Sequence, residues 1–259
     1  MGVALVTGGT SGIGAAFARQ LAARGYDLVL VARAADRLED MASELRATGR
    51  AVEAIQADLA DRDAVARVAD RLSDPDRSID LLVNNAGFGI HASPLDPDVS
   101  EFDRGLEVMC RTVFVLSGAA ARGMVQRGSG TIINVSSTAG FLTMGSYSSI
   151  KAWVTSFSQG LAVELEGTGV KVTALCPGWV RTEFHERAGI RSGSIPNFMW
   201  LDAEQLVSAA LRDVDRGKVI SIPTLRYRIL IGLAGLAPRS AIRSFSGAIS
   251  SSRRKPVAR

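Results

Sequence analysis

A short apolar run at residues 3–6 leads directly into a glycine-rich turn, residues 7–14, with the sequence TGGTSGIG. Glycines at positions 8, 12 and 14 let the backbone turn tightly, and they let peptide N–H groups at the start of the next helix approach a pyrophosphate closely. A tight strand-to-helix connection without a ligand would use the same residue types. The turn favours a dinucleotide-binding α/β fold, and the other motifs decide whether that interpretation holds.

Apolar segments without polar alternation recur along the chain and alternate with helical patterns. Strands are predicted at residues 3–6, 28–32, 52–57, 81–83, 131–135 and 170–175, and helices at 15–24, 36–48, 63–72, 101–127 and 147–166. Such strands, each followed by a helix, are typical of a parallel sheet covered on both faces. Because these crossovers are right-handed, the pattern predicts an α/β fold with one Rossmann-type, doubly wound parallel sheet of about seven strands.

The composition is that of a folded globular chain, with 47% hydrophobic and 22% charged residues. We expect one domain over residues 1–259. The first strand begins so early that we expect no secretory signal and a cytoplasmic location. The two cysteines, Cys110 and Cys176, each lie in an apolar run. This predicts small core side chains rather than a disulfide or a metal site.

The net charge of +4 is unevenly distributed. Residues 216–259 contain ten Lys or Arg and no Asp or Glu, which leaves 20 basic and 26 acidic residues for positions 1–215. The basic character is therefore confined to the C-terminal region. We expect no nucleic-acid partner, and a tail that did bind DNA or RNA would show a salt-dependent affinity.

The end of the second predicted strand indicates the type of cofactor. An NAD-binding chain normally has an acidic residue about 20 residues past the glycines, where it holds the ribose 2′-hydroxyl. This chain has Ala32 and Arg33 there, with Arg37 one helical turn further on. A guanidinium pairs with a 2′-phosphate, which a carboxylate would repel. The sequence favours NADP(H), the alternative being that both arginines are solvated charges at a helix start.

Tyr147 and Lys151 lie four residues apart in the motif YSSIK, so both side chains share one face of a helix. A tyrosine with an ordinary pKa near 10 is a poor base at neutral pH, and a nearby ammonium together with a positive nicotinamide favours its phenolate form. Such a pair alone is typical of an ordinary helix surface. Its position after the fifth predicted strand, together with the glycine turn, indicates a site of proton transfer.

Taken together, these motifs resemble the short-chain dehydrogenase/reductase family in its short, single-domain form. The resemblance covers roughly residues 3–182, and it includes the stretches DL at 58–59, NNAG at 84–87 and PGWVRT at 177–182. It implies that Asp58 contacts adenine, that NNAG braces the central strand beside the cofactor, and that the PG segment borders the nicotinamide. The cofactor-binding residues that we expect are Gly8, Thr10, Ser11, Gly12, Ile13, Gly14, Arg33, Arg37, Asp58, Leu59, Asn84, Ala86, Gly87, Tyr147, Lys151, Pro177, Gly178, Val180 and Thr182.

The resemblance also implies a reaction, the interconversion of a carbonyl compound and an alcohol. In the reduction, the cofactor delivers a hydride to the carbonyl carbon while Tyr147 donates its proton to the developing alkoxide. Ser137 holds the carbonyl oxygen by a hydrogen bond, and Lys151 tunes Tyr147 and grips the nicotinamide ribose. We choose Ser137 over Ser136 because the catalytic serine of the family is usually the second of such a pair.

Two departures from the family pattern surround this group. The family commonly places its serine further before its tyrosine than Ser137, which precedes Tyr147 by ten positions. Met109 stands where the family has an asparagine that supports a water-mediated proton path behind Lys151. Because Met109 keeps a backbone carbonyl, we hypothesise that Met109→Asn preserves or raises turnover. The alternative is a catalytically weak or inactive protein of this fold that binds NADP(H) in a regulatory role.

Residues 182–201 correspond to the variable substrate lid of the family. The lid carries several bulky apolar side chains, namely Phe184, Phe198, Met199, Trp200 and Leu201. They favour an apolar or bulky substrate, such as a lipid-like or steroid-like ketone. Packing of the lid onto its own core is an equal alternative.

The C-terminal extension, residues 223–259, is basic and partly apolar, and it follows a predicted helix at 203–215 and a predicted strand at 219–222. Its apolar run, residues 229–237, is too short to span a bilayer. Because arginines flank this run, it could dock on its own core, on a second subunit or peripherally on an anionic membrane. We expect packing on protein ahead of membrane contact. We also expect a homodimer or homotetramer, since family members often pair their two long helices.

Overall fold

Seven parallel strands form one sheet in the order β3-β2-β1-β4-β5-β6-β7 in the computed structural model. The structure describes residues 2–182 and 196–236, excluding the side chains of 234–236. Phe184, most of the expected lid and the tail beyond residue 236 therefore lie outside the described residues. The strands are β1 (Val3–Thr7), β2 (Asp27–Ala32), β3 (Val52–Gln56), β4 (Leu81–Asn84), β5 (Gly130–Val135), β6 (Val170–Leu175) and β7 (Ile220–Ser221).

Helices cover both faces of this sheet, as expected for strands without polar alternation. They are α1 (Gly12–Ala23), α2 (Ala35–Arg46), α3 (Arg62–Ser73), α4 (Ser100–Leu106), α5 (Thr112–Arg127), α6 (Ser146–Glu164), α7 (Ala203–Asp215) and α8 (Leu225–Leu236). In β1, Leu5 faces one core layer while Ala4 and Val6 face the other, because successive side chains of a strand point to opposite faces. The predicted α/β fold with a doubly wound parallel sheet is confirmed.

The strand order reverses at β1, which pairs with β2 on one side and with β4 on the other. In a doubly wound sheet the crevice at such a reversal, beyond the carboxyl ends of the strands, is where ligands bind. The glycine turn follows β1, and the NNAG stretch begins at the end of β4. The topology therefore brings these two motifs to one place, although 70 residues separate Asn84 from Gly14 along the chain.

The long helix predicted at 101–127 is not continuous. A π-turn, Glu107–Arg111, separates α4 from α5, and the Thr112 N–H donates to the Glu107 carbonyl five residues back. Val108, Met109 and Cys110 are all buried there. The wider π-turn thus lies where the chain presents apolar side chains to the core on successive residues.

Among the described residues, the stretch Ser100–Arg127 is long and apolar enough to cross a membrane. Of its most apolar window, 61% is buried inside the protein. Core helices pass the same test, so this stretch is weak evidence for a membrane span. Its neighbours are α3, α6 and the strands β4 and β5.

Candidate active site

The glycine turn after β1 requires glycine for its backbone conformation and for its close contacts. Gly8 and Gly12 have positive φ angles of 65° and 52°, a region that residues with a Cβ rarely adopt. A Cβ on Gly14 would overlap the Gly8 carbonyl oxygen. The turn is therefore tight, and because its glycines have no side chains, its peptide groups can line the surface of the crevice.

The first turn of α1 fits a negatively charged group. Ser11 is the N-cap residue, and its side chain makes no capping hydrogen bond to the helix. The first N–H groups of α1 therefore remain available to an anionic ligand, and the helix dipole favours negative charge there. Thr182 lies against this turn, since a Cβ on Gly12 would sit 3.0 Å from its Cγ2 atom. Thr10 and Ile13 are half-buried in the same turn.

The second asparagine of NNAG fastens the glycine turn to β4. The Asn85 side-chain amide donates to the carbonyls of Thr7 (3.0 Å) and Gly8 (3.2 Å). In return, the Thr7 hydroxyl accepts from the backbone N–H groups of Asn85 (3.0 Å) and Ala86 (3.1 Å). Sequence reasoning missed Thr7 and Asn85, although their positions at the ends of two adjacent strands were a usable signal.

The first asparagine of NNAG points into the protein. The Asn84 amide donates to Asn134 Oδ1 (2.9 Å) and to the Ser117 hydroxyl (3.1 Å), and Asn134 donates in turn to Ser158 (3.0 Å). All four side chains are buried. They link β4, β5, α5 and α6, so Asn84 acts on the site by bracing the strands that carry it.

Arginine side chains surround Asp58 beyond the end of β3. The Arg104 guanidinium donates to both oxygens of its carboxylate, at 2.7 and 3.0 Å. Although burial raises the pKa of Asp58, the Ala60 N–H and Arg104 hold it below its ordinary value, and Arg33 adds to this effect. Arg33 is exposed and close enough to Asp58 to act on its charge. Arg104 is a further member of this group that the sequence motifs did not reveal.

Two other expected cofactor residues flank the same region. Leu59 is buried, and its carbonyl accepts a hydrogen bond from the Thr112 hydroxyl at 2.9 Å. Arg37 is exposed in the first turn of α2. The structure therefore places Arg33, Arg37 and Asp58 at one rim of the crevice, while Leu59 anchors the segment to α5.

The YSSIK motif lies in the first turns of α6, which begins after Gly145, a residue with a φ of 83°. The Ser146 hydroxyl donates to the Ala92 carbonyl at 2.8 Å and ties the helix start to the loop after NNAG. One turn separates Tyr147 from Lys151, and the Lys151 Nζ atom lies 5.7 Å from the centre of the Tyr147 ring. The predicted sharing of one helix face is confirmed.

Ser137 lies within hydrogen-bond reach of the phenol. Burial raises the pKa of Tyr147 well above its ordinary value, and a hydrogen bond with Ser137 opposes this shift. Burial thus outweighs the hydrogen bond from Ser137, and the expectation that Lys151 together with a positive nicotinamide favours the phenolate stays a prediction. The shorter loop between Ser137 and Tyr147 still brings the two hydroxyls together, so the unusual spacing does not separate them.

Lys151 is 4% exposed and donates to the Val135 carbonyl at the end of β5, at 2.9 Å. Burial lowers the pKa of this ammonium to about 8, against the small opposing effect of the two nearby cysteines. Burial also raises the pKa of each thiol, Cys110 and Cys176, to about 11. Both cysteines are free and buried, as predicted, and they remain protonated at neutral pH.

The two adjacent serines have different surroundings. Ser136 is 2% exposed, and its hydroxyl bonds to the Lys151 carbonyl and to the Thr155 hydroxyl, each at 2.7 Å. Ser137 is half-buried and faces the phenol of Tyr147. Ser136 therefore holds α6 onto β5, whereas Ser137 has its hydroxyl in the site.

Gly87 lies between Met109 and Lys151. A Cβ on this glycine would sit 3.1 Å from the Met109 Sδ atom and 3.6 Å from the Lys151 Nζ atom. Met109 is 1% exposed in the π-turn. The thioether therefore fills the space beside the ammonium where the family has an amide.

The PG segment follows β6 and borders the serine loop. The Pro177 carbonyl accepts from the Thr138 N–H (2.9 Å) and hydroxyl (3.1 Å). Val180 is buried and forms an isolated parallel bridge with Leu201, which joins the two ends of the expected lid. Gly178 leaves room for the ring of Tyr227, which a Cβ at that position would overlap.

Tyr227, in α8, is a residue that sequence reasoning missed. Its hydroxyl accepts from the Trp179 N–H at 3.0 Å and donates to the Met199 carbonyl at 2.8 Å. Its side chain is 3% exposed. Helix α8 is thus hydrogen-bonded to the chain just before the lid and near the end of the lid. No sequence motif around Tyr227 predicts this contact.

Comparison with known proteins agrees with this site. The sequence profile of the short chain dehydrogenase family matches residues 2–191. The chain belongs to the short-chain dehydrogenase family. A cis-4-hydroxycyclohexanecarboxylate dehydrogenase from Sinomonas cyclohexanicum is 39% identical to it over 184 residues, which are 70% of this chain and 74% of that protein. The resemblance predicted from the motifs is confirmed, and this short-chain dehydrogenase is an oxidoreductase.

Two solved structures are similar over the whole length of this short-chain dehydrogenase. A short-chain dehydrogenase from Sphingobium yanoikuyae in complex with NADPH has a TM-score of 0.82 at 35% identity, covering 100% of this chain and 98% of that chain. The bulky-bulky ketone specific alcohol dehydrogenase from Comamonas testosteroni has a TM-score of 0.78 at 33% identity, covering 100% and 97%. The alignments therefore extend past the lid to the C-terminal region of the chain.

Proposed function

We propose that this short-chain dehydrogenase is an NADP(H)-dependent enzyme that interconverts a bulky, apolar ketone or aldehyde with its alcohol. The observation that carries the proposal is the grouping of Ser137, Tyr147 and Lys151 at the carboxyl end of β5, beside the glycine turn. The sheet, the π-turn and the PG segment hold the three side chains in this position. A bound nicotinamide dinucleotide would supply the hydride.

Tyr147 is the proton donor in the reductive direction. Its raised pKa keeps the phenol protonated at neutral pH, so a proton is available when charge develops on the carbonyl oxygen. Ser137, hydrogen-bonded to Tyr147, binds the same oxygen and stabilises its negative charge. In the oxidative direction Tyr147 must lose its proton, which requires a positive charge in the site to offset burial.

Lys151 supplies that positive charge from the chain itself. With a pKa of about 8, the ammonium is mostly protonated at pH 7. One of its hydrogen bonds goes to the Val135 carbonyl, which aims the remaining protons away from β5. We assign to these protons the contact with the nicotinamide ribose. Met109 adds no polar side-chain atom beside Lys151, so a proton path behind the lysine runs through backbone carbonyls and water.

The preference for NADP(H) rests on Arg33, which is exposed at the end of β2 where an NAD enzyme has a carboxylate. Arg37 adds a second guanidinium one helical turn on. Asp58 does not cancel these charges, because Arg104 already neutralises its carboxylate. The Sphingobium relative was solved with NADPH, which supports the same choice for this chain.

The substrate class follows from the lid. The described part of the lid contains Phe198, Met199 and Trp200, and Phe198 is 68% exposed. Aromatic and thioether side chains at the mouth of a site favour an apolar ligand. The Comamonas relative is specific for ketones with two bulky groups, and this supports a bulky ketone for the present chain.

A substrate panel tests the proposal directly. Ketones that range from small diketones through bulky aryl ketones to long-chain 3-oxoacyl esters and steroids are offered with NADPH or with NADH, and cofactor oxidation is followed by absorbance. We expect turnover of the bulky ketones, faster with NADPH. NADPH binding without turnover of any ketone would support the non-catalytic alternative, to which Met109 points.

We also propose that the chain self-associates through α5 and α6. Phe114, on α5, is 60% exposed, and its ring lies 5.6 Å from that of Phe157, on α6. Phe157 stacks on Trp153 at 5.0 Å. Exposed aromatic clusters of this kind are typical of protein interfaces. A two-fold axis would bring this aromatic face of α5 and α6 against the same face of a second copy. This arrangement favours a homodimer or a homotetramer.

A further inference from the structure

We infer that helix α8 is a docking surface for an anionic lipid bilayer. Its inner face packs on the protein through Tyr227 and Ile231, which are 3% and 8% exposed. Its outer face carries Leu225, Ile229 and Leu233, which are 66%, 54% and 63% exposed. These three residues, the α8 stripe, are spaced four apart and therefore lie in one row along the helix.

The α8 stripe lies between positive charges. At 100° per residue, Arg228 lies to one side of the row and Arg226 to the other. Both arginines are exposed. Apolar side chains lie on both the inner and the outer face of α8, and the outer row with its flanking arginines offers an apolar surface beside positive charge to the lipids of an anionic bilayer. With 12 residues, α8 is about 18 Å long, which is too short to cross a bilayer.

The positive charge of the sequence around α8 favours an anionic bilayer as the partner of the α8 stripe. Residues 216–259 carry ten Lys or Arg and no Asp or Glu, while the rest of the chain has a net charge of −6. The surface potential of anionic lipids attracts such a segment. A second copy is a poor occupant, because a two-fold interface through α8 would place Arg226 and Arg228 of one copy near the same two arginines of the other.

Docking of α8 would also position the lid. The Tyr227 hydroxyl is hydrogen-bonded to Trp179, just before the lid, and to Met199, near its end. Helix α8 and these two segments therefore form one unit. If the proposed function holds, a membrane-bound α8 brings the mouth of the site to the bilayer, from which a bulky apolar ketone would enter. The docking itself does not depend on that function.

Co-sedimentation with vesicles tests the inference with the full chain. We expect binding to phosphatidylcholine vesicles that contain phosphatidylglycerol, at least about tenfold weaker binding to phosphatidylcholine alone, and loss of binding at high salt. The triple variant Leu225→Ser, Ile229→Ser, Leu233→Ser should bind at least about tenfold more weakly. The matched control, Leu95→Ser with Val99→Ser, changes exposed apolar residues away from α8 and should bind as the wild type does.

The possible outcomes separate the explanations. No binding of the wild type to anionic vesicles, or equal binding of the triple variant, would overturn the inference. A fall in the molar mass of the triple variant by light scattering would show that a second copy covers the stripe, and would also overturn it. Reduction of a water-soluble ketone by the triple variant is measured in parallel, and absence of turnover in every protein would count against the proposed function and leave the docking intact.

Discussion

The ammonium nitrogen of Lys151 lies 5.7 Å from the centre of the Tyr147 ring, one helical turn away on α6. At this distance the ammonium lies within cation–π range of the ring, and burial acts on the pKa values of the two groups in opposite directions. Burial raises the pKa of Tyr147 and lowers that of Lys151. Each change favours the uncharged form of its group. The phenol of Tyr147 therefore stays protonated at neutral pH, and the pKa of Lys151 lies closer to neutral pH than its ordinary value does.

Replacement of Ser137 should mainly lower activity, whereas replacement of Ser136 should mainly lower stability. Ser137→Ala should lower kcat by about a hundredfold, because it removes a donor to the carbonyl oxygen, and should cost about 1 kcal/mol of stability, because the Ala139 N–H loses its acceptor. Ser136→Ala should cost about 1–3 kcal/mol of stability, because it leaves buried partners on α6 unsatisfied. Steady-state kinetics and urea unfolding of both variants measure this. The reverse assignment of the two effects would show that Ser136 is the serine in the site.

Lys151 should make stability depend on pH. Its pKa is about 8 in the folded protein and 10.5 ordinarily, so between these values the unfolded chain binds more protons and the free energy of unfolding rises with pH. Relative to Lys151→Met, the wild type should gain about 3 kcal/mol from pH 8 to pH 10.5, and the difference should be constant below pH 8. Urea unfolding across this range measures the gain.

The control for this prediction is Lys171→Met, since Lys171 is exposed on β6. It should follow the wild type at every pH. If Lys151→Met and Lys171→Met gave the same pH dependence, the ammonium of Lys151 would not be buried in the folded protein.

Arg33 should determine the choice between the two nicotinamide cofactors. Arg33→Ser removes a charged partner of the 2′-phosphate, and the Kd for NADPH should rise about 10- to 100-fold while that for NADH changes little. Cofactor fluorescence gives both constants. Arg24→Ser, at an exposed arginine beyond the end of α1 that pairs with Asp215, serves as the control. Equal weakening of both cofactors would mean that Arg33 does not contact the phosphate.

The aromatic face of α5 and α6 should control self-association. Phe114→Ser with Trp153→Ser places polar groups where two copies would meet, so the molar mass from light scattering should fall to that of a single chain. Leu95→Ser, at a residue that is 82% exposed before α4, should keep the wild-type mass. A wild type that is already monomeric at micromolar concentration would contradict the proposed interface.

Much of the fold could be predicted because its signals are local. The apolar runs predicted all seven strands to within one residue at each end, and the glycines marked the turn after β1, where Gly8 and Gly12 need positive φ angles. The π-turn could not be predicted, because it depends on burying Met109 and its neighbours against elements far away in the chain. Periodicity alone describes a helix as regular.

Site residues that belong to sequence motifs could be predicted. Site residues that reach the site through tertiary contacts could not. Tyr147, Lys151 and Ser137 come together as expected. Arg104 and Tyr227 were missed because each reaches its partner across 46 or 48 residues of sequence. The burial that raises the pKa of Tyr147 was not visible either, since a four-residue spacing does not show how many atoms surround a side chain.

The most direct test is Tyr147→Phe, measured on the ketone that the wild type reduces fastest with NADPH. The account predicts that the rate falls by about 10²- to 10⁴-fold, because the proton donor is lost, while the Kd for NADPH stays within about threefold, because the ring is retained. Circular dichroism checks that the variant is folded. A variant that binds NADPH and reduces the ketone at the wild-type rate would contradict the assignment of Tyr147 as the proton donor.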